Sequence, residues 1–322
     1  MTCATANPSA SSLDRAVKCT ASAVLPQTQE PTSPEAEAGR LIHLFLCHAL
    51  RNWAMPEMPK AIGDRALKID LHEIKCGGKV VRTEAAFAYD VLSGKVREIE
   101  SRTERDYSSL TSSEIGGTLD LLLASPDGVP HAVDYKTGDT LAIGADKNLQ
   151  LRFAALVAEH LFPAAAIIKV SFCYIGFDGS LRWDTAELDA LDLQETRDAL
   201  RAAFDRWQLA RSIGQATTNP GPHCKHCASV RHCPVFARDW DSLTTLDGEA
   251  WVETIQRESA SDAYASQAWE RVKRIEDVLE IAKGTLRERA IERPIPLSDG
   301  TVVAAKTDTR GIVTVKARKA KG

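Results

Sequence analysis

Two apolar, strand-like runs in this chain each carry a carboxylate where a buried strand should carry none. Gly116-Gly-Thr-Leu-Asp120 continues into Leu-Leu-Leu-Ala124, and after a Ser-Pro-Asp127-Gly128 turn the chain returns through Val129 to Val133-Asp134-Tyr135-Lys136. Asp-Gly between apolar runs is a strong hairpin signal, so the runs pair as neighbouring strands and set Asp120 beside Asp134. Residues two apart on a strand share a face. Lys136 therefore joins Asp134, while Tyr135 points away and leaves its carbonyl available. Taken alone, Asp-x-Lys reads as a structural ion pair. Charges inside two paired apolar strands need a stronger reason. Hydrolysis of a phosphodiester supplies one: it needs a hard divalent cation on oxygen ligands and a positive group at the attacking water.

The gross composition permits this reading without favouring it. A chain of 322 residues with 44% hydrophobic and 26% charged content can bury a large core. A formal net charge of −4 and a pI near 6.1 are not the footprint of a strongly basic nucleic-acid binder. A local basic groove and a metal ion can still carry phosphate contacts. Apolar runs such as 41–46 and 164–168 fall far short of the roughly 20 residues a membrane span requires. The N-terminus lacks a basic stretch followed by an apolar one, so a cytoplasmic location is expected.

Punctuation by Pro and Gly divides the chain into an N-terminal segment over 1–33, a core over 34–215, a cysteine loop over 216–240 and an extension over 241–322. A helix after Pro34 carries Leu41, Leu44, Phe45, Ala49 and Trp53 at helical spacing, with His43 among them. Hairpins are expected over 79–100, over 115–136 and about Asp178-Gly179, with helices over 146–161 and 188–211. The mixture predicts an α/β fold, a mixed central sheet flanked by helices. In the extension, a helix over 258–290 bears Trp269, Val272, Ile275, Leu279, Ala282 and Leu286 along one stripe, a core face or a surface for a protein partner. A hairpin about Asp299-Gly300 and a basic tail follow.

Cys224, Cys227 and Cys233 lie in His-Cys-Lys-His-Cys-Ala-Ser-Val-Arg-His-Cys-Pro. Clustered cysteines without a secretion signal point to a metal centre rather than a disulfide scaffold. Tetrahedral zinc and a 4Fe–4S cluster both take four thiolates, and spacing alone separates them poorly. The fourth ligand is sought among Cys3, Cys19, Cys47, Cys76 and Cys173, or, for zinc, from His226 or His232.

Together these motifs resemble the RecB-type members of the PD-(D/E)XK nuclease superfamily, and are similar to CRISPR-associated adaptation exonucleases and the nuclease domains of recombination helicase–nucleases. The resemblance spans about residues 9–236. It implies that Gly39-Arg-Leu-Ile-His43 is that family's Gly-x-x-x-His element, whose histidine is a metal ligand. The metal set is then His43, Asp120, Asp134 and the Tyr135 carbonyl, holding Mg²⁺ or Mn²⁺, with Lys136 completing the catalytic group. Gln150-Leu-Arg152-Phe stands where the family carries Gln-x-x-x-Tyr, implying DNA contacts from Gln150 and Arg152, although the tyrosine position is Ala154 here. Cys19 precedes the core where the family's first cluster cysteine falls, implying a 4Fe–4S cluster on Cys19, Cys224, Cys227 and Cys233. The implied activity is an exonuclease acting on single-stranded DNA ends in recombination, repair, phage or CRISPR-related processing. The alternative is a catalytically idle, DNA-binding partner of a larger complex. Glu84, on an early strand, is either an outer-shell carboxylate of the metal or an ordinary exposed one.

Overall fold

In a computed structural model of the chain, described over residues 7–28, 34–100, 107–137, 144–238, 261–297, 301–307 and 313–319, the apolar alternation after Gly78 becomes a six-stranded sheet. Its strands are β1 (Lys79–Asp90), β2 (Val96–Glu98), β3 (Glu114–Ala124), β4 (Pro130–Lys136), β5 (Ile168–Ile175) and β6 (Leu181–Leu188), in the order β2-β1-β3-β4-β5-β6. All neighbours run antiparallel except β4 and β5. The helices are α1 (Leu13–Lys18), α2 (Thr20–Val24), α3 (Pro34–Arg51), α4 (Lys60–Ala66), α5 (Leu71–Lys75), α6 (Leu149–Leu161) and α7 (Ala190–Ile213). A parallel pair needs a crossover, and α6 provides it between β4 and β5. Asn148 caps that helix by accepting from the Gln150 and Leu151 N–H groups.

The mixed α/β architecture expected from the sequence is therefore present. The chain divides into two compact units, Met1–Asn219 and Pro220–Gly322, and the sheet with α1–α7 makes the first. Side chains alternate across the strands, so the sheet buries two cores. One packs Leu122, Phe172 and Ala132 against Phe153 and Leu156 of α6 and Leu200 and Trp207 of α7. The other packs Leu121, Val133 and Tyr135 against Ile42 and Leu46 of α3 and Ile74 of α5. The fully buried Trp207 donates its indole N–H to the Ala16 carbonyl at 3.1 Å, which moors α1 to α7.

The glycine pair before Asp120 has a packing reason. A Cβ at Gly117 would lie 2.5 Å from Phe153 Cε1 and 2.6 Å from Ala10 Cβ. One at Gly116 would lie 2.8 Å from Tyr107 and Leu110 on the other side. Only a bare backbone lets β3 pass between them at this spacing.

Two short helices, α4 and α5, were not apparent from the sequence. The hairpin about Asp178-Gly179 pairs β5 with edge strand β6, which runs to Leu188. In the second unit, short 3-10 turns at Pro222–His226 and Val230–His232 carry the cysteine run. They are followed by α8 (Asp262–Glu292) and a small sheet of β7 (Ile295–Pro296), β8 (Thr301–Thr307) and β9 (Val313–Lys319). Cys3, the first residues of the helix read over 258–290 and the Asp299-Gly300 turn lie outside the described residues, as does the side chain of His226. No described helix is long and apolar enough to cross a membrane.

Candidate metal and catalytic centre

The centre forms where β3 and β4 part. Their pairing runs only from Ala124↔Pro130 to Leu121↔Val133, although both strands continue beyond it. At the point of separation the Asp120 carboxylate replaces the missing backbone partner and accepts the Tyr135 N–H at 2.8 Å. One hydrogen bond thus locks Asp120 against the Asp134-Tyr135-Lys136 segment. The crevice left between the splayed strands and α6 holds about 10 Å³, lined by Asp120, Asp134 and Gln150 among others. That is the volume of about one water-sized sphere.

Helix α3 brings His43 to this point. Gly39 makes the approach possible, since a Cβ there would sit 2.7 Å from Thr137 Oγ1, just beyond β4. One turn later, the His43 ring meets Tyr135 edge-on at 5.5 Å between centroids. Its Nδ1 lies 3.4 Å from Asp120 Oδ2 and 3.6 Å from Glu84 Oε1. That nitrogen is buried and makes no hydrogen bond among the described residues.

Glu84 is the residue whose place the sequence left open, and the structure sets it beside His43 and Asp120. It sits inside β1 with φ +44°, a left-handed conformation that side chains other than glycine rarely adopt in a strand. The register Thr83↔Leu121 and Ala85↔Leu119 sets it opposite Asp120. Among the described residues, His43, Glu84 and Asp120 form the one set of three His, Cys, Asp or Glu side chains whose ligand atoms all lie within 4.8 Å of one another. Octahedral Mg²⁺ at about 2.1 Å from its ligands spaces them about 3 Å apart in cis and about 4.2 Å in trans. A buried, unbonded imidazole nitrogen facing two carboxylate oxygens at these separations fits a divalent cation.

The second half of the centre lies on the α6 side. Lys136 Nζ contacts Asp134 Oδ2 at 2.6 Å and donates to Gln150 Oε1 at 3.2 Å, and it stands 5.1 Å from the Phe172 ring centroid. The Gln150 amide N–H₂ donates in turn to Asp134 Oδ1 at 2.5 Å. Gln150 thus bridges the two catalytic candidates on β4. Asp134 is not within the compact three-residue set, and lies beside it. Arg152 is occupied elsewhere: it donates to the Asp146 carbonyl, the Asp192 carbonyl and Thr196 Oγ1, at 2.7, 3.0 and 3.0 Å. The last two bonds pin α6 to α7.

The electrostatics follow from burial. Asp120 and Asp134 are 6% and 7% exposed, so each pays for desolvation. Burial and the neighbouring Asp120 charge raise the Asp134 carboxyl, against the pull of Lys136. Burial alone would raise Asp120 too, but the His43 charge and the Tyr135 N–H hold it below the ordinary carboxylate value. For His43, burial opposes the charge, and the Asp120 and Glu84 carboxylates overcome it, lifting the imidazole to about 10.

Each half of the cysteine set has its own local setting. Cys19 interrupts α1 and α2 and is buried. Its Sγ accepts the Asn219 backbone N–H at 3.5 Å, while the Asn219 side chain donates to the Lys18 carbonyl at 3.1 Å. In the second unit, Cys224 Sγ accepts the Gly221 N–H at 3.4 Å. Cys47 Sγ lies 3.2 Å from Thr83 Oγ1, next to Glu84 in the chain.

Comparison with known proteins agrees with this geometry. Residues 7–234 match the family model of the PD-(D/E)XK nuclease superfamily. Among curated proteins no sequence matches the chain. Of the solved structures, the crystal structure of SSO0001 shares 20% identity over 55% of this chain and 71% of its own, at a TM-score of 0.29, too low to support an argument.

Proposed function

Since the chain belongs to the PD-(D/E)XK nuclease superfamily, we propose that it is a metal-dependent deoxyribonuclease of the RecB type that hydrolyses phosphodiester bonds at single-stranded DNA ends. The observation that carries the proposal is the buried His43 Nδ1, unbonded and facing Glu84 and Asp120, with Lys136 held beside Asp134. His43, Glu84 and Asp120 would hold Mg²⁺ or Mn²⁺, with Asp134 and the Tyr135 carbonyl at its open side. The bound ion supplies neutralisation of the phosphate and a lowered pKa for its water. Lys136 orients the attacking water and stabilises charge developing on the phosphate, while Asp134 pairs with Lys136 and accepts a hydrogen bond from Gln150. Gln150 is then a positioning residue first and a DNA contact second.

The test is direct. Purified protein with Mn²⁺ or Mg²⁺ should shorten end-labelled single-stranded DNA, and chelation should stop it. Protein that binds such DNA but leaves every end intact with either ion would instead be the idle, DNA-binding partner.

We further propose that Cys19, Cys224, Cys227 and Cys233 hold a 4Fe–4S cluster with a structural role, closing the two ends of the nuclease fold. Support comes from the donor set and from the N–H groups already directed at Cys19 and Cys224, because hydrogen bonds to cysteinyl sulfur stabilise and tune such clusters. A cytoplasmic setting, where thiols stay reduced, suits it. Protein purified without oxygen should be brown and bind iron and sulfide. Colourless protein with stoichiometric zinc would replace the cluster by a structural zinc site. Trp269, Leu279 and Leu286, exposed along α8, would be the surface for a protein partner.

A further inference from the structure

The chain just beyond α3 holds an aromatic ring in a fixed place while leaving half of it open to solvent. Trp53 is 51% exposed. Yet three separate contacts fix it. Asn52, at φ +55°, ends α3 in the left-handed conformation, and the Trp53 N–H returns to the His48 carbonyl at 2.9 Å. The Arg51 guanidinium covers the ring at 4.6 Å from its centroid. The His48 ring meets it edge-on at 5.5 Å. Arg51 is itself held, donating Nε to Thr83 Oγ1 and Nη2 to the Thr83 carbonyl, both at 2.5 Å. The backbone turn, the guanidinium and the imidazole thus hold the ring in one orientation while half of it stays open to solvent.

The same helix face connects this ring to the metal group. His43, Cys47 and Arg51 are spaced at one-turn intervals. The first meets Glu84, and the other two meet Thr83, the residue next to it. Along the axis, His43 and Arg51 are separated by about 12 Å at 1.5 Å per residue. A rigid exposed indole with a guanidinium beside it, a short distance from a phosphate-cleaving centre, matches the alternating chemistry of a single strand: a π-face for a base and a cation for the phosphate next to it. A protein partner would account for the open ring, but not for its pairing with an anchored cation on the face that leads to the metal ligands.

We infer that Trp53, backed by Arg51 and His48, is the stacking platform for one unpaired nucleobase of the DNA strand whose phosphate lies at His43, Glu84 and Asp120. The inference rests on the nuclease reading and refines it: the site selects single strands because a paired base cannot present its face to the indole.

The experiment measures equilibrium binding of fluorescent single-stranded oligonucleotides to the full-length protein in Ca²⁺, alongside cleavage in Mn²⁺. Trp53→Ala should weaken binding about 10- to 100-fold, the range expected for loss of one base–aromatic stack, and raise KM to the same extent while leaving kcat unchanged. Trp53→Phe, which keeps a smaller π-face, should retain most of the affinity. An abasic position walked along the oligonucleotide should reproduce the loss at one or two neighbouring positions, and add nothing further in Trp53→Ala. Unchanged binding by a folded Trp53→Ala protein would overturn the inference, including when that variant instead loses self-association. So would an abasic penalty of equal size at every position. If wild-type protein binds DNA in this Trp53-dependent way but never cleaves it, the platform stands and the nuclease reading fails.

Discussion

Lys136→Ala should lower the rate of DNA cleavage about 10³-fold while changing metal affinity by no more than a few-fold. The magnitude is that of removing a preorganised charge or proton-transfer group from a reacting centre. The selectivity comes from the arrangement. Lys136 touches Asp134, Gln150 and the Phe172 ring, and none of these belongs to the His43, Glu84 and Asp120 set. Losing the ammonium also removes the charge that most strongly opposes burial and the Asp120 charge at Asp134. Asp134 would then hold a proton more readily, adding to the catalytic loss. Single-turnover cleavage at saturating Mn²⁺, compared with a direct Mn²⁺ titration, separates the two effects. Gln150→Ala, which frees both Asp134 and Lys136 without deleting either, should fall between wild type and Lys136→Ala. Cleavage that survives in Lys136→Ala, or a collapse of metal binding along with it, would refute the assignment.

How much of this centre the sequence displayed depended on whether a residue's role was local. Asp120, Asp134 and Lys136 stood out because charge inside apolar strands is conspicuous, and a hairpin fixes their adjacency. His43 was legible only through the resemblance to the family's Gly-x-x-x-His element, and the structure shows what Gly39 does there, passing close to Thr137. Glu84 could not be read in this way. Arg-Thr-Glu-Ala looks like an ordinary strand, and the carboxylate matters only because of a left-handed φ and a register opposite Asp120. The bonds that tie Arg152 to α7 were hidden for a related reason, because they join residues 40 and 44 positions apart. The short helices α4 and α5, at 7 and 5 residues, offer too few turns for a periodic signal.

Metal affinity should rise steeply with pH, about 100-fold between pH 6 and pH 8. In the metal-free protein the His43 imidazole keeps its proton up to about 10: burial would expel it, but the Asp120 and Glu84 carboxylates at 3.4 and 3.6 Å retain it. A cation can bind that nitrogen only by displacing the proton. Below the pKa each unit of acidity therefore makes the proton a tenfold better competitor, so binding weakens as pH falls and strengthens as it rises. Folding stability of the metal-free chain moves in the opposite direction. A raised histidine pKa contributes stability that is fully present below the unfolded value of about 6.5 and is lost as pH climbs through the folded value. Calorimetric Mn²⁺ titrations in two buffers of different ionisation enthalpy should register about one proton released per ion at pH 7. His43→Gln should bind more weakly and release almost none. An affinity that stays flat from pH 6 to 8 in the wild-type protein, or the same slope in His43→Gln, would place the metal away from His43. The buried nitrogen between two carboxylates would then be a structural ion pair, and the reading of Glu84 as its strained partner would fall with it.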